Sequence, residues 1–183
     1  MTATDAGDFA DDFARKRCVV FSRSLEYVSQ ERNVILLKTF SKAHGLAGLR
    51  VGYGIGPRQL ISFFAPTRTI FSISSAAQAA ALAALHDSDH IEKAIKNNAE
   101  QAEVLSAELN RLGYPVAKTW ANFLYCEMGE DASSFADRLQ AGGVTVQPLG
   151  LWGAPSAIRV SIGTPEQNRR FMELFESVAQ SKR

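Results

Sequence analysis

Charge of one sign is missing from this chain. Its 183 residues carry 20 Lys+Arg against 19 Asp+Glu, a net charge of +1. That balance leaves no electrostatic footprint for nucleic acid or an anionic membrane surface, so neither is expected as a partner. Long apolar runs are missing too. None approaches the roughly 20 residues of a membrane span, so no membrane segment is expected. Cysteine is scarce, with only Cys18 and Cys126, and no C-x-x-C spacing joins them. Both are expected as free, buried thiols in a reducing compartment. Three scattered histidines add no metal-ligand pattern, so no metal is expected. Repeats and low-complexity tracts are absent. Met1–Asp5 shows neither the basic region nor the apolar stretch of a signal peptide, and a cytoplasmic location is expected.

What remains is an ordinary globular composition, 46% hydrophobic and 21% charged. A chain of this length can bury one large core or two small ones. Phe9, Phe13 and Val19-Val20-Phe21 suggest an amphipathic helix and irregular packing within residues 1–32. Asn33–Thr39 reads as a continuous buried strand. Arg50–Ile55 reads as a second strand, and Pro57 opens a short helix through Phe64. Ser74-Ser75 caps a helix over Ala76–His86, and Asp87 or Asp89 caps another over Ile91–Leu112, stopped by Gly113. Strands are expected near Val116–Lys118, Phe123–Met128, Val144–Val146 and Ile158–Ile162. A helix is expected over Ala132–Ala141. Thr164 caps a last helix with Pro165 at its first position, running to about Ala179. Alternating strands and helices predict an α/β fold.

Lys42 is the most informative residue. It follows the apolar Val34-Ile35-Leu36-Leu37 and precedes a turn punctuated by Gly45 and Gly48. A lysine at the end of a buried strand is costly unless used. The same burial would lower its pKa and free a nucleophilic amine. Ser41 and Arg50 supply a hydroxyl and a guanidinium suited to a phosphate. An amine beside a phosphate site suggests a pyridoxal-phosphate Schiff base. A lone Ser-Lys pair on a loop usually means nothing, so the longer pattern has to decide.

Thr39-Phe40-Ser41-Lys42 followed by Gly45-Leu46-Ala47-Gly48-Leu49-Arg50-Val51-Gly52-Tyr53 closely resembles the cofactor-lysine segment of class II aminotransferases, fold-type-I pyridoxal-phosphate enzymes. The nearest resemblance is to the histidinol-phosphate aminotransferase family. It implies the remainder of the large cofactor domain, placed at residues 1–100, and a small C-terminal α/β domain at 101–183. It implies pyridoxal 5'-phosphate as cofactor, with Lys42 binding it covalently and Ser41 and Arg50 on its phosphate. It also implies a small-molecule amino donor, a 2-oxo acid acceptor and a homodimer. His44 stands where the family often has an aromatic residue and is read as a tolerated variant.

In the second half, Arg159 lies in Ile158-Arg159-Val160-Ser161-Ile162. Taken alone it reads as an arginine on the outer face of an edge strand. With the following Gly163-Thr164-Pro165-Glu166-Gln167-Asn168, the resemblance makes it the substrate-anion arginine. A planar fork of that kind would clamp a carboxylate or phosphate and turn the substrate's α-proton toward the lysine. Asn122, in Trp120-Ala121-Asn122-Phe123, either lies near the substrate or serves a strand-entry turn. Trp120 and Trp152 are expected as packing residues. Gln147 departs from the family, which usually has an arginine there; losing one charge-assisted contact costs about 1.5–3 kcal/mol.

The resemblance covers about residues 30–180 and only the C-terminal portion of the family. It leaves out the aspartate that keeps the pyridine nitrogen protonated, since Asp5 and Asp8 match that segment poorly. The chain is therefore expected to be N-terminally truncated, with its Val34–Thr39 strand at risk of exposure. Transamination of histidinol phosphate is the leading expectation. An aromatic amino-acid aminotransferase, a related pyridoxal-phosphate decarboxylase and a non-catalytic remnant are the alternatives.

Overall fold

The computed structural model describes residues 24–129 and 131–181. Phe9, Phe13, Val19-Val20-Phe21, Asp5, Asp8 and Cys18 lie outside the described residues. The chain divides between His86 and Asp87 into two compact units.

In the first unit, helix α1 (Ser24–Ser29) precedes strand β1 (Leu36–Thr39), which pairs antiparallel with β2 (Gly52–Ile55). Gly52 is demanded by close approach: a Cβ there would meet the Lys38 carbonyl at 2.6 Å. Helix α2 (Arg58–Phe64) begins after Pro57. Helix α3 (Ser75–Leu85) is capped by Ser74, whose Oγ accepts from the Ala77 N–H at 3.1 Å. Phe40, Val51, Ala77 and Ala81 form this unit's small buried core.

Three expectations fail here. The strand over Asn33–Thr39 shortens to four residues and is not buried: Leu37 is 78% exposed. Among the described residues its sheet contains two strands, so the apolar run typical of a doubly covered strand finds one neighbour there. Lys42 is exposed as a result, so the burial expected for its amine is not met. The second strand begins at Gly52 because Arg50, at φ 51°, closes a 3₁₀ turn over Ala47–Leu49.

In the second unit, helix α4 (Ser88–Arg111) is capped by Asp87, whose Oδ1 accepts from the His90 N–H at 3.1 Å. Gly113 ends the turn beyond α4 at φ 90°. Strands β3 (Phe123–Glu127), β4 (Gln147–Leu149) and β5 (Ala154–Ser161) form an antiparallel sheet of order β3-β5-β4. Helix α5 (Ala132–Ala141) connects β3 to β4, and helix α6 (Pro165–Gln180) follows β5. Alternation on β3 sends Leu124 and Cys126 into the core. Ile158 and Val160 of β5 join them, with Leu105 and Leu109 of α4, Phe135 and Leu139 of α5, and Phe171 and Phe175 of α6. Phe135 and Phe175 meet at a tilt, 4.9 Å between centroids, and Tyr114 meets Phe175 edge-on.

Further corrections belong to this unit. Val116–Lys118 forms no strand; Val116 makes one isolated bridge, to Cys126. The strand expected over Val144–Val146 starts three residues later, because Val144 still donates to Leu139 in the turn that ends α5. Strand β5 is the central strand of its sheet, so Arg159 is not on an edge. Trp120 and Trp152 are 70% and 66% exposed and pack no core.

Candidate functional site

The β1–β2 ladder positions the first group of residues. Thr39 pairs with Gly52, and the Phe40 N–H donates to the Val51 carbonyl at 3.2 Å. Beyond this bond Ser41 and Lys42 continue from one strand, and Arg50, at φ 51°, precedes Val51 on the other. Phe40 and Val51 are buried, so the ladder's end is anchored while its tip is open. The loop is closed by Gly45 N–H to Lys42 carbonyl and Leu46 N–H to Phe40 carbonyl, both 2.9 Å. Gly45, at φ 70°, supplies the left-handed turn this closure needs.

Each side chain retains hydrogen-bonding capacity. The Thr39 hydroxyl donates to Ser41 Oγ at 2.9 Å, which leaves the Ser41 hydrogen for another acceptor. One Arg50 nitrogen donates to the Ala47 carbonyl at 2.9 Å, holding the guanidinium against its own turn with other N–H groups unspent. A hydroxyl, a guanidinium and a primary amine carried at the end of one hairpin match in chemistry a ligand carrying both phosphate and aldehyde.

The second group sits on the second unit. Arg159 has two direct cross-strand neighbours, Tyr125 on β3 and Gln147 on β4. Its guanidinium lies 5.1 Å from the Phe123 ring centroid. Tyr125 donates to Glu127 at 3.2 Å. Glu127's carboxyl is held below its ordinary value, first by the Ser156 side chain and, against desolvation, by Tyr125 and the Gly129 backbone. Gln147 spends an amide hydrogen on its neighbour Pro148 at 3.1 Å. The exposed face around Arg159 thus offers one cation between a phenol and a carboxamide. Asn122 stands one residue ahead of β3, exposed, with its carbonyl accepting from the Ile162 N–H at 3.0 Å.

On the opposite face, burial pushes the Cys126 thiol up to about 12, with Glu127 adding to the shift. This cysteine is free, as expected, and packed in the core. Among the described residues no His, Cys, Asp and Glu cluster could hold a metal. None of the described helices is long and apolar enough to cross a membrane.

One set of residues was missed from sequence. Asn97, Asn98 and Gln101 of α4, with the buried Asn168 of α6, tie the helices to the loops at this end of the sheet. The available signal was two consecutive asparagines, poor helix formers, inside a long helix.

The family described as aminotransferase class I and II matches residues 8–175, and the chain belongs to that family. It is similar to the histidinol-phosphate aminotransferase of Akkermansia muciniphila, 41% identical over 155 residues, covering 85% of this chain and 42% of that protein. It is similar also to the histidinol-phosphate aminotransferase of Symbiobacterium thermophilum, 40% identical over 85% of this chain and 43% of the relative. The crystal structure of histidinol-phosphate aminotransferase from Sinorhizobium meliloti in complex with pyridoxal-5'-phosphate aligns with a TM-score of 0.76 at 28% identity. That alignment covers 82% of this chain and 42% of the other. The fold is accordingly the α/β fold of these aminotransferases. The chain spans less than half the length of the relatives it matches.

Proposed function

We propose that this chain carries the lysine-bearing portion of a pyridoxal-phosphate-dependent aminotransferase of the histidinol-phosphate type, in histidine biosynthesis. Residues 1–100 are assigned to the large cofactor domain and 101–183 to the small C-terminal domain. The assembly is a cytoplasmic homodimer that alternates an amino donor with a 2-oxo acid.

The observation that supports this reading is the β1–β2 hairpin, whose last bond, Phe40 N–H to the Val51 carbonyl, is flanked by Ser41 and the exposed Lys42 on one side and Arg50 on the other. Ser41 Oγ and the Arg50 guanidinium hold the cofactor phosphate through charge-assisted hydrogen bonds. Lys42 Nζ would hold the group at its aldehyde, condensing with loss of water, and as a free amine would serve as general base for the proton on the substrate α-carbon. The bound group supplies an electron sink for the pair left on that carbon. Arg159 holds an anionic group of the substrate, and Asn122 adds a neutral hydrogen bond to it.

A second reading, an aromatic amino-acid aminotransferase, is favoured by Gln147 directly opposite Arg159, because a carboxamide adds no second positive charge for a phosphate. Products from histidinol phosphate and from phenylalanine separate the two. The cofactor reading is tested by visible absorbance after adding pyridoxal phosphate to the full chain and to Lys42→Ala. A new band in the wild type that the variant lacks supports it. Identical spectra from two folded proteins remove it.

A further inference from the structure

Four hydrogen bonds hold the end of the loop before β3. Ala121 N–H donates to Thr119 Oγ1, whose hydroxyl donates to the Phe123 carbonyl, both at 3.0 Å. The Ala121 carbonyl accepts from Asn98 Nδ2 of α4 at 3.0 Å. The Asn122 carbonyl accepts from the Ile162 N–H at the end of β5, also at 3.0 Å. The carbonyls on both sides of the Asn122 Cα are therefore fixed, one to the helix and one to the central strand. The Asn122 side chain is exposed and makes no hydrogen bond among the described residues. A backbone held on both sides of one unspent, exposed carboxamide is a preorganised contact.

A second tie beside it serves as a control. Asn97 Nδ2 donates to the Gly163 carbonyl at 3.0 Å, where Asn168 Nδ2 also donates, at 3.2 Å. Loss of Asn97 leaves that acceptor served. The Ala121 carbonyl, by contrast, has Asn98 as its only side-chain donor among the described residues.

We propose that Asn98 is a positioning residue: its hydrogen bond to the Ala121 carbonyl holds the Asn122 side chain in the orientation that receives substrate. This rests on the reading of Asn122 as a substrate contact. Sequence position gives no hint of the link, since Asn98 and Asn122 are on a helix and a distant loop.

The test uses the ¹⁵N-labelled full chain as wild type, Asn98→Ala and Asn97→Ala. Alanine raises helix propensity at both positions, which favours α4 in both variants. Asn98→Ala is expected to raise the mobility of the Ala121 and Asn122 amides and to average the Asn122 side-chain amide signals. Leu124 and Ile158 should keep wild-type hydrogen exchange. Asn97→Ala should leave the Asn122 signals in place. Unchanged Asn122 signals in Asn98→Ala, or equal changes in both variants, overturn the proposal. In an assay with turnover, Asn98→Ala should raise KM for the amino donor about tenfold, the loss of one neutral hydrogen bond, with kcat less affected. Adding Asn122→Ala should then cost nothing more than Asn122→Ala alone, and additive losses overturn the positioning role. Absence of turnover in the wild type counts against the aminotransferase reading alone, and the spectra still decide the positioning.

Discussion

Ile158 and Arg159 are neighbours on β5, yet replacing them should have opposite consequences. The Ile158 side chain is fully buried among Leu124, Leu139 and Phe175, whereas Arg159 lies on the exposed face. Ile158→Ala removes buried methyl groups and leaves a cavity, a loss of about 2–5 kcal/mol. Arg159→Ala removes an exposed cation–π contact with Phe123 at 5.1 Å, a loss of about 0.5–1 kcal/mol. The same Arg159→Ala change should weaken an anionic substrate by about 1.5–3 kcal/mol, the value of a hydrogen bond to a charged group. That is roughly 10- to 150-fold in affinity. Urea unfolding gives the first quantity, and KM or a titration with the substrate gives the second. If Arg159→Ala unfolds as readily as Ile158→Ala, the side chain is structural and the exposed geometry is wrong. If it unfolds normally and binds the substrate unchanged, the anion-clamp role is wrong.

Three further outcomes follow from the geometry. Gly163→Ala should cost about 1 kcal/mol in thermal unfolding, because its Cβ would meet Gln167 Oε1 at 2.7 Å, the atom that caps Thr164 N–H at the start of α6. Glu127 has its folded pKa below the ordinary 4.5, so the unfolded chain takes up the proton first as pH falls. The stability it contributes is present above 4.5 and is lost below it; acid melts of Glu127→Gln should show a flatter decline, and matching declines would exclude the effect. Cys126, pushed to about 12 in the core, should resist a thiol reagent at pH 8 in the native chain and react on unfolding. Rapid labelling of Cys126 in the native state would contradict its burial.

Much of the secondary structure was legible because its signals are local. Ser74, Asp87 and Thr164 cap helices as their side chains predict, and Gly113 stops the long one. The α5 boundaries follow from Asp131 ahead of it and Gly142 after it. The hairpin that carries Ser41, Lys42 and Arg50 was legible in outline, since two short strands flank their glycine-punctuated turn. Strand β4 was misplaced because Val144–Val146 has the right residue types, while pairing with β5 begins at Gln147. The exposure of Trp120, Trp152 and Leu37 was not legible, because residue type reports a preference for burial and not whether a neighbour exists to provide it.

The sequence by itself determined the family, the helix ends and the chemical types at the two candidate groups, because those depend on residue identity and short spacing. The tertiary structure decided that Arg159 lies on a central strand between Tyr125 and Gln147. It also decided that Asn98 reaches the loop of Asn122, and that Lys42 is open to solvent in this chain. These depend on which strand lies beside which and what remains uncovered. Such facts arise from contacts between distant segments, and local propensity carries no record of them.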